Sequence, residues 1–244
     1  MKITNIEIRA CSLKSVDPVD RAQLGGTDTP DVVVITVDTD EGIRGTSFGS
    51  GGLDSRITAR AFAQIRPFFL GRDPLAREQN LHEFRWFDRR WNPSPIYAYG
   101  PFDVACWDIA GKKANLPIHA MIGSSAERRP VYVSTMFLGT PEEYAGEALK
   151  VKAQGFRAYK VHPPGPMSVD LDVYSAVREA VGPDFPLMAD PVATHTYEEA
   201  MRVGRALEAL NYDWFEEPVY DYDFESLKKL TRDLDIPIAA TETI

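Results

Sequence analysis

Hydrophobic and polar positions divide the chain into two parts with different periodicities. In the first part, a β-branched run at 31–38 is followed by a turn signal at 39–42 and a second extended run at 43–48. This order predicts a β-hairpin, to which residues 3–12 add a third strand. Apolar residues then recur at helical spacing, which predicts three helices: 56–69, 75–87 and 103–114. A small sheet followed by helices is an α+β layout.

From about residue 129 onwards, short apolar runs alternate with helical segments. The predicted strands are 131–134, 158–162, 186–190, 213–216 and 237–242, and the predicted helices are 141–153, 169–181, 197–210 and 224–234. Such alternation is typical of a parallel sheet with right-handed crossovers. Five strands without a glycine-rich phosphate turn favour a TIM-type (β/α) barrel over a dinucleotide-binding fold. The sequence therefore predicts an α+β domain over 1–126 and an incomplete (β/α) barrel over 127–244.

Composition and charge exclude several classes of protein. The 244 residues are 44% hydrophobic and 26% charged, which is typical of a soluble globular protein. The net charge of −9 argues against a nucleic-acid partner, and no apolar run approaches the ~20 residues of a membrane helix. The first residues lack the apolar core of a signal peptide, and two cysteines exclude a disulfide framework. We expect a cytoplasmic protein with neither nucleic acid nor membrane as a partner.

Three acidic residues stand at the carboxyl ends of predicted strands. Asp190, Glu216 and Glu242 follow one another at intervals of 26 residues. A barrel repeats its βα unit at about this length, so the three carboxylates are expected at the mouth where barrel enzymes place their sites. Convergent carboxylates repel one another unless a cation lies between them, and hard oxygen ligands suit Mg²⁺. The spacing predicts a magnesium site; solvated or helix-capping acids are the alternative interpretation.

Three further residues are candidates for chemistry near this mouth. Lys160 and His162 are two residues apart on a predicted strand and therefore share one face of it. A cation and a proton acceptor beside a metal suit removal of a proton next to a carboxylate. His195, in the loop after Asp190, is a candidate substrate-binding residue, with a solvated loop histidine as the alternative. Glu217 is expected to point away from the mouth, beneath the site or at a helix cap.

Six motifs resemble the enolase superfamily, within its mandelate racemase/muconate lactonizing enzyme branch. In the second part they are Tyr-Lys-Val-His (159–162), Met-Ala-Asp-Pro (188–191), Trp-Phe-Glu-Glu-Pro (214–218) and Ile-Ala-Ala-Thr-Glu-Thr (238–243). In the first part, Asp-Glu-Gly-Ile-Arg-Gly (40–45) and Phe-Asp-Val-Ala-Cys-Trp-Asp-Ile-Ala-Gly-Lys (102–112) resemble the capping domain of that branch. The resemblance covers essentially the whole chain.

This resemblance implies a set of roles. Asp190, Glu216 and Glu242 match the three Mg²⁺ ligands, and Lys160 and His162 match the Lys-x-Lys position on the second barrel strand. The family removes the proton α to a carboxylate and stabilises the enolate on Mg²⁺. The outcomes are racemisation, epimerisation, cycloisomerisation or dehydration. A small carboxylate substrate and a homo-oligomer are expected on the same ground.

The sequence departs from the family at three places. His162 stands where a second lysine is common, and Val192 stands where many members have asparagine. The sequence ends at Ile244, two residues after Glu242, whereas the family continues through three more barrel strands. We therefore expect either a piece of a longer chain or a partner chain that supplies the missing strands.

The predicted reaction is dehydration of a sugar acid. Polar residues expected near the mouth, namely His162, Thr194 and His195, suit a hydroxylated substrate better than an aromatic one. A racemase, epimerase or cycloisomerase on the same scaffold is the first alternative, and a non-catalytic remnant is the second. Substrate specificity is expected in two loop segments of the first part, 13–29 and 47–52.

Overall fold

The computed structural model describes residues 1–11, 32–50, 54–89, 96–124 and 126–242. Its internal contacts divide the chain into two compact units, Met1–Glu127 and Arg128–Ile244. The boundary predicted from the sequence lies one residue earlier, between positions 126 and 127. Most of the segments with predicted specificity, 13–29 and 51–52, lie outside the described residues.

The first unit begins with an antiparallel sheet. Its described strands are β1 (Ile3–Cys11), β2 (Val32–Thr39) and β3 (Arg44–Ser50), in the order β1-β2-β3. The predicted hairpin is β2–β3. The Thr39 hydroxyl closes its turn, donating to the Ile43 carbonyl at 2.8 Å and accepting from the Ile43 N–H at 3.1 Å. Gly42 takes φ +75° there, a conformation that costs little only for glycine.

Helices follow the sheet, as predicted. They are α1 (Ser55–Phe69), α2 (Arg77–Asp88), α3 (Gly100–Ala114) and the short α4 (Ile118–Met121). Helix α3 lies so close to β3 that a Cβ on Gly45 would be 2.2 Å from the Ala105 carbonyl oxygen. In the core of this unit, the buried rings of Phe69 and Phe102 stack at 4.7 Å. The α+β expectation for the first part is confirmed.

The second unit contains a parallel five-stranded sheet within the described residues. The strands lie side by side in chain order: β4 (Val133–Ser134), β5 (Tyr159–Val161), β6 (Leu187–Ala189), β7 (Trp214–Glu216) and β8 (Ile238–Ala239). The helices between them are α5 (Pro141–Ala153), α6 (Met167–Val181), α7 (Tyr197–Ala209) and α8 (Phe224–Asp233). The predicted strand–helix alternation is therefore confirmed. Because every crossover returns the chain to the same end of the sheet, the carboxyl ends of the strands share one edge.

Local sequence sets where these helices begin. Thr140 with Glu143, and Thr196 with Glu199, form capping boxes at the starts of α5 and α7. The Asp223 carboxylate accepts the Ser226 N–H at 3.0 Å and caps α8. The caps fix the point at which each loop from the carboxyl edge becomes helix.

The last strand is shorter than the sequence predicts. The prediction extends over 237–242, but β8 ends at Ala239. Thr241 takes φ +79°, and its N–H donates to Asp221 Oδ1 at 3.1 Å, so the chain leaves the extended conformation. Among the described helices, none combines the length and apolar character needed to cross a membrane.

Candidate active site at the carboxyl ends of the parallel strands

Lys160 stands at the centre of a charged cluster. It lies in β5 and is 8% exposed, with its ammonium between two carboxylates. Lys160 Nζ lies 2.7 Å from Asp190 Oδ2 and 3.0 Å from Glu216 Oε2. The register explains this meeting: Val161 pairs with Ala189, so Asp190 directly follows β6 beside the end of β5, and Glu216 ends the next strand.

The charges in this cluster stabilise one another. Burial alone would lower the pKa of Lys160, but the hydrogen bonds to Asp190 and Glu216 outweigh it and raise the pKa above its ordinary value. Burial alone would raise the pKa of Asp190, but hydrogen bonds from His162 and Lys160 outweigh it and lower the pKa. The lysine is therefore held charged and the aspartate ionised.

His162 lies just beyond β5 and contacts the same Asp190 oxygen as Lys160 does. Its Nε2 is 3.0 Å from Asp190 Oδ2, and its Nδ1 is 2.6 Å from the Thr135 carbonyl oxygen. A carbonyl only accepts, so Nδ1 carries a proton in either charge state of the ring. The hydrogen bond to Asp190 raises the pKa of His162, with burial opposing it and Thr135 adding to it. When the ring is neutral, the basic atom is therefore Nε2, on the side of the acids.

A hydrogen bond from Trp214 holds the carboxylate of Glu216 in place. The indole Nε1–H donates to Glu216 Oε2 at 3.0 Å, within the same strand and two residues away. No role at the site is predicted for Trp214 from the sequence. Its period-two relation to Glu216 is the signal that would have found it.

Glu242 does not join the pair formed by Asp190 and Glu216. Its side chain is exposed, and its backbone N–H donates to Glu217 Oε1 at 2.9 Å. Glu217 is 4% exposed, and its backbone takes φ +41°. Burial raises the pKa of Glu217, and the nearby Asp221 carboxyl raises it further. Glu217 thus supports the chain that carries Glu242, which agrees with the position beneath the site expected from sequence.

The carboxylates of Asp190, Glu216 and Glu242 have the oxygen donors that a cation needs, but the structure does not bring all three together around one point. Asp190 and Glu216 already converge on one positive charge, the ammonium of Lys160. Within the described ranges, however, no three His, Cys, Asp or Glu side chains are grouped so that they hold a metal ion. The assignment of Asp190, Glu216 and Glu242 as ligands therefore stays a prediction.

His195 is enclosed by the protein rather than open at the mouth. It is 6% exposed, and its Nε2 lies 3.3 Å from Oδ2 of the fully buried Asp170. Burial lowers the pKa of His195 and raises that of Asp170 to about 6. Asp170 Oδ1 also accepts the Gly165 N–H at 2.9 Å, so it links the loops after β5 and β6. The substrate-binding role of His195 stays a prediction.

The loop that follows Asp190 has an unusual backbone. Val192 and Ala193 take φ values of +54° and +59°, in the left-handed region that β-branched residues avoid. The Val192 N–H donates to Asp190 Oδ1 at 3.2 Å, and the Ala193 N–H donates to the Glu217 carbonyl at 2.8 Å. These bonds hold the loop against the site despite the local preference of valine.

Two family descriptions match consecutive parts of the chain. The N-terminal domain of mandelate racemase/muconate lactonizing enzyme matches residues 4–123. The enolase C-terminal domain-like family matches residues 143–244. The two matches fall on the two units of the structure.

Curated relatives with named activities match across both units. The chain is 28% identical over 251 residues to N-succinyl-L-Arg/Lys racemase of Bacillus cereus, a match that covers 99% of this chain and 66% of that protein. It is 30% identical over 223 residues to L-talarate/galactarate dehydratase of Salmonella typhimurium, covering 87% of this chain and 55% of that protein. The chain thus spans between 55% and 66% of the length of these two relatives.

A solved structure is similar to this chain in both fold and sequence. D-glucarate dehydratase from Agrobacterium tumefaciens, complexed with magnesium, superimposes with a TM-score of 0.82 at 27% identity. The match covers 98% of this chain and 66% of that one. The motifs, the two-unit fold and these matches together assign the chain to the enolase superfamily, in its mandelate racemase/muconate lactonizing enzyme branch.

Proposed function

We propose that this chain carries the proton-abstracting half of an enzyme that dehydrates a small sugar acid by removing the proton α to its carboxylate. The cluster of Lys160, His162, Asp190 and Glu216 at the carboxyl edge of the sheet is the observation that carries the proposal. Similarity to dehydratases that act on L-talarate/galactarate and D-glucarate supports this choice of reaction.

His162 acts as the base in this proposal. Its Nδ1–H donates to the Thr135 carbonyl, so Nε2 is the atom that takes the α-proton when the ring is neutral. Because contact with Asp190 raises the pKa of His162 above 6.5, the neutral fraction grows only as the pH rises through that higher value. The rate of α-proton removal is therefore expected to increase with pH across this range.

Lys160 orients the substrate carboxylate. An ammonium has three N–H donors, and Asp190 and Glu216 accept two of them. The remaining donor binds a substrate carboxylate oxygen. The positive charge offsets the negative charge that develops as the proton leaves.

Asp190, Glu216 and Glu242 are the residues that would hold Mg²⁺. Carboxylate oxygens are the donors that this ion prefers, and the D-glucarate dehydratase relative is complexed with magnesium. When bound, Mg²⁺ supplies further stabilisation of the negative charge on the substrate carboxylate. Departure of the hydroxyl requires an acid, and His162 is suited to this role after it has taken the α-proton.

Racemisation or epimerisation is the second candidate. The similarity to N-succinyl-L-Arg/Lys racemase over 99% of the chain favours it. A racemase exchanges the α-proton and inverts the centre without losing water, whereas a dehydratase forms a keto acid. Cycloisomerisation and a non-catalytic remnant are the remaining alternatives from the sequence.

The test is ¹H NMR of a panel of sugar acids and N-acylated amino acids in D₂O with Mg²⁺ and the purified chain. We expect loss of the α-proton signal and the appearance of a keto acid. Lys160→Ala, His162→Asn and Glu216→Gln should each lower the rate at least ~100-fold. The exposed pair Lys150 and Glu147 supplies matched controls, and Lys150→Ala and Glu147→Gln should have no effect.

Two results would contradict the proposal. Full activity in both Lys160→Ala and Glu216→Gln would refute the site assignment. No exchange with any acid would favour the non-catalytic alternative for this chain. The predicted homo-oligomer is tested separately by light scattering of the purified chain, and the cytoplasmic location stays a prediction.

A further inference from the structure

The segment 135–138, which follows β4, contacts His162 in three ways. The Thr135 carbonyl accepts the Nδ1–H of the imidazole at 2.6 Å. The ring of Phe137 meets the imidazole edge to face, with ring centres 6.1 Å apart. The Leu138 N–H reaches the backbone of His162 through one intervening hydroxyl, that of Tyr144.

Tyr144 supplies this hydroxyl from the first turns of α5. Its side chain is fully buried, and its hydroxyl accepts the Leu138 N–H at 2.9 Å while donating to the His162 carbonyl at 2.6 Å. One oxygen therefore joins the loop after β4 to His162, the residue that follows β5. Neither contact involves a charged group.

We propose that Tyr144 is a positioning residue for His162: its hydroxyl holds segment 135–138 against the end of β5 and so keeps Nε2 of His162 directed at the site. The proposal rests on the function proposed above, in which Nε2 is the base. The ring partner, the Thr135 carbonyl, lies on the same segment that Tyr144 anchors through Leu138. Loss of the anchor is therefore transmitted to the imidazole.

The chemistry of the interior makes this anchor hard to replace. Without the hydroxyl, the Leu138 N–H and the His162 carbonyl both lose their partner beside a buried ring. Groups left in this way must move towards water or remain unpaired, and either change displaces the segment. Phenylalanine retains the ring of Tyr144 and removes only the oxygen.

NMR of the full chain with ¹⁵N-labelled histidine tests the proposal without turnover. The chain has four histidines, so comparison with His162→Asn assigns the His162 signals. In the unaltered protein, we expect a proton on Nδ1 that exchanges slowly with water. In Tyr144→Phe, we expect that exchange to be about tenfold faster, as loss of one to two hydrogen bonds implies.

Tyr212→Phe is the matched control. The Tyr212 hydroxyl is also buried and also donates to a backbone carbonyl, that of Tyr174 at 3.0 Å, within the same unit. Its removal should leave exchange at His162 Nδ1 unchanged. Equal protection of the Nδ1 proton in Tyr144→Phe and the unaltered protein would overturn the proposal, as would equal losses in both variants.

Kinetics separates positioning from a general loss of structure. If the full chain turns over an acid, Tyr144→Phe should lower kcat about tenfold and leave KM within about twofold, because a displaced base does not change substrate affinity. Normal kcat in Tyr144→Phe, with none in His162→Asn, would refute the positioning role and leave the proposed function standing. Faster Nδ1 exchange in a chain without turnover would support positioning while the proposed function fails.

If Tyr144→Phe does not fold, NMR of the unaltered protein tests the proposal instead. The Tyr144 hydroxyl proton should then exchange slowly and show a nuclear Overhauser effect to the Leu138 amide. If Nδ1 of His162 carries no proton in the unaltered protein, the hydrogen bond to the Thr135 carbonyl is absent and the proposal is overturned.

Discussion

The two units of this chain bury different kinds of polar side chain. Among the described residues, those buried in the first unit are all neutral: Thr36, Thr39, Ser47, Ser55 and Asn80. Those buried in the second unit are nearly all ionisable: Lys160, Asp170, Arg178, Asp190, His195, Glu217 and Asp221, with Ser226. In the first unit, ion pairs such as Asp38–Arg44 remain at the surface.

Burying a charge costs free energy unless partners replace the lost water, so the second unit sustains a cost that the first avoids. Its buried cations occupy two different settings. Lys160 faces two carboxylates at the carboxyl edge of the sheet. Arg178 forms no ion pair with the carboxylates that the structure describes. Its guanidinium donates to four backbone carbonyls, those of Leu210, Gly182, Phe185 and Asn211, at 2.7–2.8 Å. One buried cation thus faces carboxylates at the candidate site, whereas the other holds loops together.

Removal of the Lys160 charge should have the largest effect on stability. Lys160→Met removes the cation between the Asp190 and Glu216 carboxylates, and we expect the free energy of unfolding to fall by about 3 kcal/mol at pH 7. Urea unfolding of the two proteins at pH 7 measures this difference in free energy.

Magnesium sharpens this first prediction. If Asp190 and Glu216 hold the ion, millimolar Mg²⁺ should raise the melting temperature of Lys160→Met more than that of the unaltered chain. If Mg²⁺ does not raise the melting temperature of Lys160→Met, these carboxylates do not bind it. Lys150→Met, at the exposed pair with Glu147, is the matched control.

Loss of the second buried cation should cost somewhat less. Arg178→Met leaves four carbonyls without their donor, and we expect a loss of about 2–3 kcal/mol in urea unfolding, with α-proton exchange little changed at saturating substrate. Arg44→Met, which breaks the exposed pair with Asp38, should change stability far less. Similar losses in the two variants would erase the difference between the units.

The Asp170–His195 pair should give a smaller, pH-dependent effect. Burial raises the pKa of Asp170 from 3.8 to about 6, so its contribution to stability is complete below about pH 4 and is lost as the pH rises through 6. Asp170→Asn should therefore match the unaltered chain near pH 4 and exceed its stability by about 2 kcal/mol at pH 7. Urea unfolding between pH 4 and 8 measures the difference.

His195 supplies the opposite trend. Burial lowers its pKa, so its contribution is present above pH 6.5 and is lost as the pH falls. His195→Gln should remove this acid-side loss. If Asp170→Asn is instead less stable at pH 7, the carboxylate pairs with a protonated His195 and the order of the two pKa values is reversed.

Periodicity and capping residues made the layout of this chain predictable. The helix predicted over 141–153 has those limits in the structure, and it begins at Pro141 because Thr140 and Glu143 form its N-terminal cap. Strand ends were less predictable, since the left-handed Thr241 depends on a contact with the distant Asp221. The short helix α4 has one turn, too little for a periodic signal.

The site was predictable in its residue types and only partly in its contacts. Period two and the interval of 26 residues place Lys160, His162, Asp190 and Glu216 at one edge of the sheet, where the structure shows them in contact. Glu242, at the same interval, does not join them, and the roles of all five residues stay predictions. The partner of His162 Nδ1 is the carbonyl of Thr135, and a backbone carbonyl leaves no mark in a sequence. The burial of His195 depends in the same way on Asp170, which lies 25 residues away.

The backbone after Asp190 bears on how this sequence tolerates change. Val192 occupies a left-handed position with one of the side chains least suited to it, and the side chain itself is 45% exposed. Because nearly half of Val192 is exposed, packing of its methyl groups offsets little of the free-energy cost of the left-handed backbone. We expect glycine or asparagine at 192 to keep the loop conformation and to lower that cost. We therefore expect Val192→Asn, which puts in place the residue that the family resemblance implies, to be tolerated. Asp190, two residues before it, is 2% exposed and contacts Lys160 and His162, so we expect substitution there to cost far more than at Val192.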